Sequence, residues 1–127
     1  MIRRTLRVLA PILVLPALAC GPTADAQNSF KLLREKETRA RVIGKDMNDS
    51  FHWVTFLRPD GVLLITDEMG RQSTGTWNIQ NNKLCMSKPS GTSLDCNEVW
   101  MSGENIRLRA HKHEETFDAV VERHKTN

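Results

Sequence analysis

From residue 51 onward, apolar and polar residues alternate with a period of two, which predicts β-strands. The alternating runs are short, and residues typical of turns separate them about every eight to twelve positions. The predicted strands cover residues 51–57, 62–66, 75–79, 83–87, 94–100, 106–109 and 116–121. Seven short strands joined by tight turns predict an antiparallel meander, which hides its edges by curling into a small barrel or a strongly coiled sheet. The predicted fold class is therefore mainly β.

The segment before these strands has a different pattern and predicts a single helix. Asn28 or Ser29 is suited to cap a helix, and Gly44 is suited to end it. Between them the apolar positions form one patchy side of the helix, made of Leu32, Leu33, Ala40, Val42 and Ile43. We expect this N-terminal helix to pack against the sheet.

The first residues of the chain predict export from the cytoplasm. Residues 1–7 contain three arginines and no acid, residues 8–19 are apolar, and small residues stand at 24 and 26. These are the three parts of a secretory signal. The apolar run is shorter than the roughly 20 residues that a membrane-spanning helix needs. The predicted organisation is a signal peptide over residues 1–26 and a single β-rich domain over residues 27–127, located in the periplasm or secreted.

Cys20 offers an alternative to this location. Residues 17–21 resemble the lipobox of bacterial lipoproteins, with a small residue before the cysteine and a glycine after it. The usual leucine three positions before the cysteine is replaced by Ala17. Lipidation of Cys20 would anchor the domain to the envelope by acyl chains. A membrane is therefore an expected partner only in that case, and the junction at residues 24–27 favours soluble export.

The cysteine pattern predicts a disulfide in the mature domain. Removing residues 1–26 takes away Cys20 and leaves Cys85 and Cys96, an even number suited to an oxidising compartment. If the two flanking strands fold symmetrically about the turn between them, these two cysteines lie opposite each other. A crosslink over so short a loop stabilises a fold by about 3 kcal/mol. The alternative is two free thiols in the core.

Net charge argues against a nucleic-acid partner. The whole chain carries a formal charge of +3, but residues 1–26 hold three arginines and one aspartate. The remaining domain has fifteen basic and fourteen acidic residues, a formal charge of +1. Proteins that bind nucleic acids usually present a strongly basic surface, which this domain lacks in its overall balance.

Several turn and core segments resemble a known kind of protein. Their order is Phe56-Leu57-Arg58-Pro59-Asp60-Gly61, Gly75-Thr76-Trp77-Asn78-Ile79, Lys83-Leu84-Cys85 and Cys96-Asn97-Glu98-Val99. This order resembles a pattern in small exported proteins of Gram-negative bacteria with lipocalin-like or calycin-like folds. The likeness spans roughly residues 40–110 and implies a barrel and a disulfide, but no catalytic residues. The sequence leaves open whether the barrel is fully packed or holds a cavity.

Motifs that carry chemistry are missing from the chain. It contains no G-x-S-x-G, phosphate-binding glycine loop, H-E-x-x-H or CxxC. We therefore predict no catalytic residue, no metal ligand and no cofactor. The nearest approach to a metal site is His111 with His113, supplemented by Glu114, Glu115, His52 or His124. The polar run around these two histidines favours a solvent-exposed hairpin tip instead.

Tryptophan and arginine residues allow two further interpretations. Trp53, Trp77 and Trp100 are suited to stack on sugars, but their positions in strands favour core packing for at least two of them. Arg107 and Arg109 share one strand face. We expect that face to point outward, because buried arginines need partners.

The predicted function is non-catalytic binding in the periplasm. The partner would be a small ligand, an envelope polymer or a protein. One alternative is an inhibitor of a cell-wall lytic enzyme that inserts the loop Ser90-Gly91-Thr92-Ser93 into the enzyme's cleft. A hydrolase is less favoured and would require His52 or His111 within hydrogen-bond reach of a carboxylate.

The export interpretation predicts the mass of the protein purified from the envelope of its own host. We expect a chain that begins at Gln27 and gains two hydrogen atoms on reduction. Intact-mass spectrometry with and without reductant measures both properties. Acyl groups on Cys20 would contradict soluble export and establish the lipid-anchored alternative.

Overall fold

Strands dominate the described part of the chain. The computed structural model describes residues 11–12, 29–87, 93–110 and 116–126. Its one helix in these ranges is α1 (Glu35–Arg41). Its strands are β1 (Lys31–Leu32), β2 (Lys45–Asn48), β3 (Trp53–Leu57), β4 (Val62–Asp67), β5 (Gln72–Gln80), β6 (Lys83–Ser87), β7 (Leu94–Ser102), β8 (Asn105–Arg109) and β9 (Thr116–Arg123). The mainly β class predicted from the sequence is confirmed.

The strands from β2 to β9 form a closed antiparallel barrel. Each of them pairs with the next along the chain, and β2 pairs with β9 through positions such as Met47 opposite Val121. β1 lies outside this cycle and pairs with β7, where Lys31 faces Met101. Closure satisfies the backbone hydrogen bonds of every barrel strand and leaves the eight-stranded cycle without a free edge. Of the two architectures predicted, the small barrel is the one observed.

The period-two pattern separates the inside of the barrel from the outside. On β3, Thr55 and Leu57 face inward, and Leu57 is fully buried. Val54 and Phe56 face outward on the same strand. Phe56 is nevertheless partly covered, because the ring of His124 stacks on it with centroids 3.5 Å apart. Successive side chains on a strand point to opposite faces, so one apolar run supplies both the core and this outer contact.

The segment that contains α1 covers one end of the barrel. Leu33 and Val42, on either side of α1, are buried in the core. The Leu33 N–H donates to the Val99 carbonyl at 2.8 Å, and the Gly44 N–H donates to the Leu57 carbonyl at 2.7 Å. Large buried side chains fill the barrel beneath this segment: Leu57, Leu63, Trp77, Leu84, Val99, Met101 and Ile106. These side chains therefore pack the core beneath α1 at this end of the barrel.

The helix is shorter than predicted. It begins at Glu35 rather than after Asn28 or Ser29, because residues 31–32 pair with β7 instead. The Glu35 N–H donates to Asn82 Oδ1 at 3.0 Å, so its first turn is capped from the distant β5–β6 turn. It ends at Arg41, three residues before Gly44. No helix in the described ranges has the length and hydropathy needed to cross a membrane.

β2 was not predicted as a strand. Its sequence is largely polar, and the Asp46 side chain is buried. That carboxylate lies 2.8 Å from His124 Nδ1 and accepts the Lys125 N–H at 3.2 Å. β2 is thus held by residues at the other end of the sequence, which local periodicity does not reveal. The seven predicted strands are all present, several of them longer than expected.

The predicted disulfide is confirmed. Cys85 on β6 faces Cys96 on β7, and their sulfurs are bonded at 2.02 Å. The neighbouring pairs follow the same symmetric register, as in Lys83 opposite Glu98. The alternative of two free thiols is therefore wrong.

Removing this crosslink should lower stability. We expect the double variant Cys85→Ala/Cys96→Ala to lose about 3 kcal/mol of unfolding free energy, because the unfolded chain regains the entropy of the open loop. Urea denaturation followed by far-UV circular dichroism measures the difference. Wild-type protein unfolded in the presence of reductant is the control and should lose a similar amount. Equal stability of the variant and the oxidised wild type would contradict the prediction.

Candidate ligand-binding site at the barrel mouth

The end of the barrel opposite α1 is open and leads into a cavity of about 600 Å³. Met47, Leu63 and Leu108 form its deepest part, and all three are buried. Trp53, Asp67 and Phe117 lie nearer the opening, at the start of β3, the end of β4 and the start of β9. The barrel is therefore neither fully packed nor hollow throughout: it is a cup closed at the α1 end.

The cavity has two chemically different walls. An apolar wall comes from five adjacent strands, β4, β3, β2, β9 and β8, and comprises Leu63, Ile65, Trp53, Met47, Phe117 and Leu108, with Thr55 as a polar member and Asp67 as a charged residue at the opening. A polar wall comes from β5, β6 and β7 and comprises Gln72, Ser73, Ser87, Asp95 and Asn97, with Met86 as its one apolar member. Most of the surface exposed to the cavity is apolar.

Small residues on β5 and β6 along the polar wall do not fill the interior of the barrel. A Cβ built on Gly75 would lie 2.7 Å from Ser87 Oγ and 3.2 Å from the Ser87 carbonyl oxygen, so only glycine fits there without movement. Ser87 Oγ accepts the Thr76 N–H at 2.8 Å. This close approach brings the two strands together with no bulky side chain between them. The interior above Trp77 consequently stays unfilled.

An aspartate organises the loop between β2 and β3. Asp49 Oδ1 accepts the N–H groups of Phe51, His52 and Trp53 at 3.0, 2.8 and 3.0 Å. Burial acts to raise the pKa of Asp49, but these backbone hydrogen bonds and the nearby His52 together hold that pKa below its usual value. The ionised carboxylate therefore fixes the position from which the Trp53 ring enters the mouth.

A second aspartate organises the turn between β4 and β5. Asp67 Oδ1 accepts the N–H groups of Met69 and Arg71 at 3.0 and 2.9 Å, and Oδ2 accepts Arg71 Nε at 2.8 Å. The Arg71 N–H is the main reason that the pKa of Asp67 is lowered, against the opposing effect of burial. Arg71 is held at the cavity entrance with its charge paired to that of Asp67.

Exposed apolar side chains lie on the loops and strand ends at the open end of the barrel, and two of them, Trp53 and Phe117, line the cavity. They are Phe51, Trp53, Met69, Leu94 and Phe117, exposed by 37% to 79%, and we call them the rim. In the described residues, the other exposed large apolar side chains are Ile12 and Leu32, and Leu32 lies on β1 at the α1 end. Clustered exposure of this kind marks sites where a protein meets an apolar partner or ligand.

The tryptophans and arginines are placed as follows. Trp77 is buried and donates its indole N–H to the Arg58 carbonyl at 2.8 Å, whereas Trp53 is half exposed at the mouth. Trp100 lies on the outer face beneath Arg109, whose guanidinium is 5.5 Å from its ring. One tryptophan therefore packs in the core, and the expectation of at least two is wrong. Arg107 faces outward as expected and pairs with Asp118 at 2.8 Å.

The histidines in the described ranges lie away from the cavity lining. His52 Nδ1 is 3.5 Å from Asp49 Oδ2, too far for a good hydrogen bond, and Asp49 is engaged with its own loop. His124 makes the closer contact with Asp46 and holds the end of the chain against β2. Neither pair brings an imidazole to the cavity lining, and His111, the other histidine on which the hydrolase alternative depends, lies outside the described ranges.

Several predicted residues lie outside the described ranges. These are Cys20 with the rest of the predicted signal apart from residues 11–12, the loop residues 90–92 and the cluster His111, His113, Glu114 and Glu115. Within the described ranges, no group of three or more His, Cys, Asp or Glu side chains is arranged to hold a metal ion. Of the cavity residues, the sequence had singled out Trp53 as suited to stack on a ligand, but not the others as a site.

Comparisons with known proteins do not assign this chain to a family. No protein-family model matches it, and no match was found among the curated proteins or the solved structures. The cavity and its rim are accordingly the basis for a functional assignment.

The Asp49 loop should be sensitive to acid. We expect Asp49→Ala to lose about 1–2 kcal/mol of unfolding free energy at neutral pH, because three N–H groups lose their acceptor. The folded pKa of Asp49 lies below its ordinary value of 3.8, so its stabilisation is present above that value and disappears as the pH falls through the lowered pKa. Urea titrations at about pH 7 and about pH 2.5 should show the difference from wild type shrinking in acid.

Asp49→Asn is the matched control, since its amide oxygen still accepts hydrogen bonds but does not titrate. It should retain most of the stability, with a smaller change between the two pH values. An alanine variant as stable as wild type at neutral pH would show that the carboxylate does not hold the loop.

Proposed function

We propose that this protein is a non-catalytic, exported binding protein that holds a small, largely apolar ligand in the mouth of its barrel. The observation that carries this proposal is the cavity at the end of the barrel opposite α1. If side chains filled the whole interior of a barrel of this size, that interior would contribute to stability and to nothing else. An open, mostly apolar recess works against stability, because it leaves apolar side chains exposed to water.

The size and chemistry of the cavity support a small-molecule ligand. Its volume of about 600 Å³ lies within the roughly 300–1,000 Å³ typical of ligand pockets. Such pockets combine a large apolar surface with a few polar groups that orient the ligand. Here the apolar wall supplies the apolar surface, and the polar wall supplies the groups that would orient the ligand.

The mouth is also preorganised. Asp49 and Asp67 each bind backbone N–H groups of their own loops, so Trp53 and Arg71 are already in position without a ligand. Groups that are fixed in advance lose little conformational entropy on binding. This arrangement favours a dedicated binding site over an accidental gap between strands.

The architecture and the predicted export support the same proposal. A closed up-and-down barrel is what the resemblance to lipocalin-like exported proteins implies, and the predicted signal peptide directs such a protein to the periplasm or the medium. Ligands there include poorly soluble molecules released from the envelope. Lipidation at Cys20 would keep the barrel near the membrane without altering the cavity.

A bulky residue inside the cavity should abolish binding. We use the apolar fluorophore N-phenyl-1-naphthylamine as the probe and expect Ser73→Trp to weaken its binding at least tenfold, because the indole occupies the space beside Ile65. The measurement is the increase in probe fluorescence as protein is added.

Thr74→Trp is the matched control. Thr74 is the next residue on β5 and is exposed on the outer face, so its indole should leave the probe's affinity unchanged. Equal binding by both variants would place the probe on the rim and contradict a cavity site. Failure of the wild-type protein to bind this probe would contradict the proposed function.

A further inference from the structure

We infer that the cavity selects a compact, ring-containing ligand with hydrogen-bonding groups along one edge, in preference to an extended acyl chain. This inference rests on the proposed function and specifies the ligand class for the same site. It follows from how polarity is distributed around the cavity, from which polar groups are unpaired, and from how deep the cavity is.

Polarity is divided around the barrel axis rather than along it. Below the opening, where Asp67 and Arg71 lie, the polar wall occupies three adjacent strands and the apolar wall the other five, so the cavity has one polar and one apolar side. A fatty acid carries its polarity at one end only. Its chain would cover the polar wall with methylene groups and leave buried hydrogen-bonding groups without partners, at a cost of about 1–3 kcal/mol for each.

Two side chains on the polar wall are available to a ligand. The Ser73 hydroxyl and the Asn97 amide line the cavity, and within the described residues neither makes a side-chain hydrogen bond. The amide both donates and accepts, and the hydroxyl does the same. A ligand with hydroxyl, carbonyl or amide groups along one edge would pair with both residues at once.

The apolar wall is suited to a flat ring. Trp53 on β3 and Phe117 on β9 flank Met47 on β2, so two aromatic side chains lie on the same side of the cavity. Aromatic side chains bind planar molecules by stacking and edge contacts, and methionine adapts to the surface between them. A ring placed on this wall directs its opposite edge toward β5–β7.

The cavity is shallow. Its lining on β4 runs from Asp67 at the opening to Leu63 at the floor, four residue steps of about 3.3 Å. With strands tilted by about 35–45°, this gives a depth of about 10 Å. The packed core around Trp77 lies beneath, so a long extended chain would protrude into water. A compact ring system fits within this depth.

A competition experiment tests the inference. Quercetin, a flat flavonol with hydroxyl and carbonyl groups on its edges, and palmitate, an unbranched fatty acid, are each titrated against protein loaded with N-phenyl-1-naphthylamine. We expect quercetin to displace the probe with an inhibition constant at least tenfold lower than that of palmitate. Isothermal titration calorimetry checks both values without the probe.

Two variants test the polar wall separately. Asn97→Leu should weaken quercetin at least fivefold and leave palmitate unchanged or tighter, because it replaces an edge partner with an apolar surface. Ser73→Val is the second variant, should Asn97→Leu fail to fold, and is expected to act in the same direction. Thr74→Val, on the outer face of β5, is the control and should alter neither ligand.

The outcomes separate the two proposals. Tighter quercetin binding that is lost in Asn97→Leu or Ser73→Val supports the inference. Tighter palmitate binding, or quercetin binding that neither variant changes, overturns the inference and leaves the binding function standing. If the probe, quercetin and palmitate all fail to bind, the proposed function is overturned and the inference with it.

Discussion

The short segment across one end of the barrel is the contact on which the rest of the molecule depends. Leu33 and Val42 enter the core from either side of α1, and hydrogen bonds to β3 and β7 hold the segment at both ends. A closed barrel has two ends, and each is either covered by another segment or open to solvent. Covering one end allows large side chains to pack against a lid there, while the other end remains a recess. Without this segment the apolar interior would be open at both ends, and the cup would lose its floor.

The loops at the mouth of the barrel are held by a different interaction, which is hydrogen bonding to aspartate carboxylates. Asp49 and Asp67 each use a carboxylate to bind several N–H groups of a neighbouring loop, and the same hydrogen bonds that order the loops help to keep both groups ionised. The ordering of each loop is therefore coupled to the ionisation of its carboxylate. Two of the exposed apolar rim side chains, Phe51 and Met69, lie on the loops that these carboxylates order. Local hydrogen bonding at the loops thus opposes hydrophobic collapse, and the cavity stays open.

Local patterns in the sequence predicted the parts of the fold that local interactions determine. Alternation located seven strands, and the symmetric turn placed Cys85 opposite Cys96. The errors fall where a distant residue decides the local structure. Asn82 caps α1 from another turn, and His124 with Lys125 secures the buried Asp46 of the polar strand β2. The rim was missed for a different, local reason: Phe51 and Trp53 continue the apolar alternation of a core strand, and the alternation does not show that Asp49 binds their N–H groups.

The position of the cavity nevertheless has a signature in β5. Inward positions on this strand change from Ser73 and Gly75 near the mouth to Trp77 and Ile79 near the lid. The first pair is too small to reach the barrel axis, and the second pair fills it. A barrel strand whose inward residues are small and polar over one half therefore predicts an unfilled region with a polar wall on that side. The neighbouring strands β6 and β7 contribute Ser87 and Asn97 to the same polar wall, so small polar residues both leave the space unfilled and provide its hydrogen-bonding surface. Volume and polarity at this site are set by the same residues, and a substitution that fills the space also removes the groups that would orient a ligand.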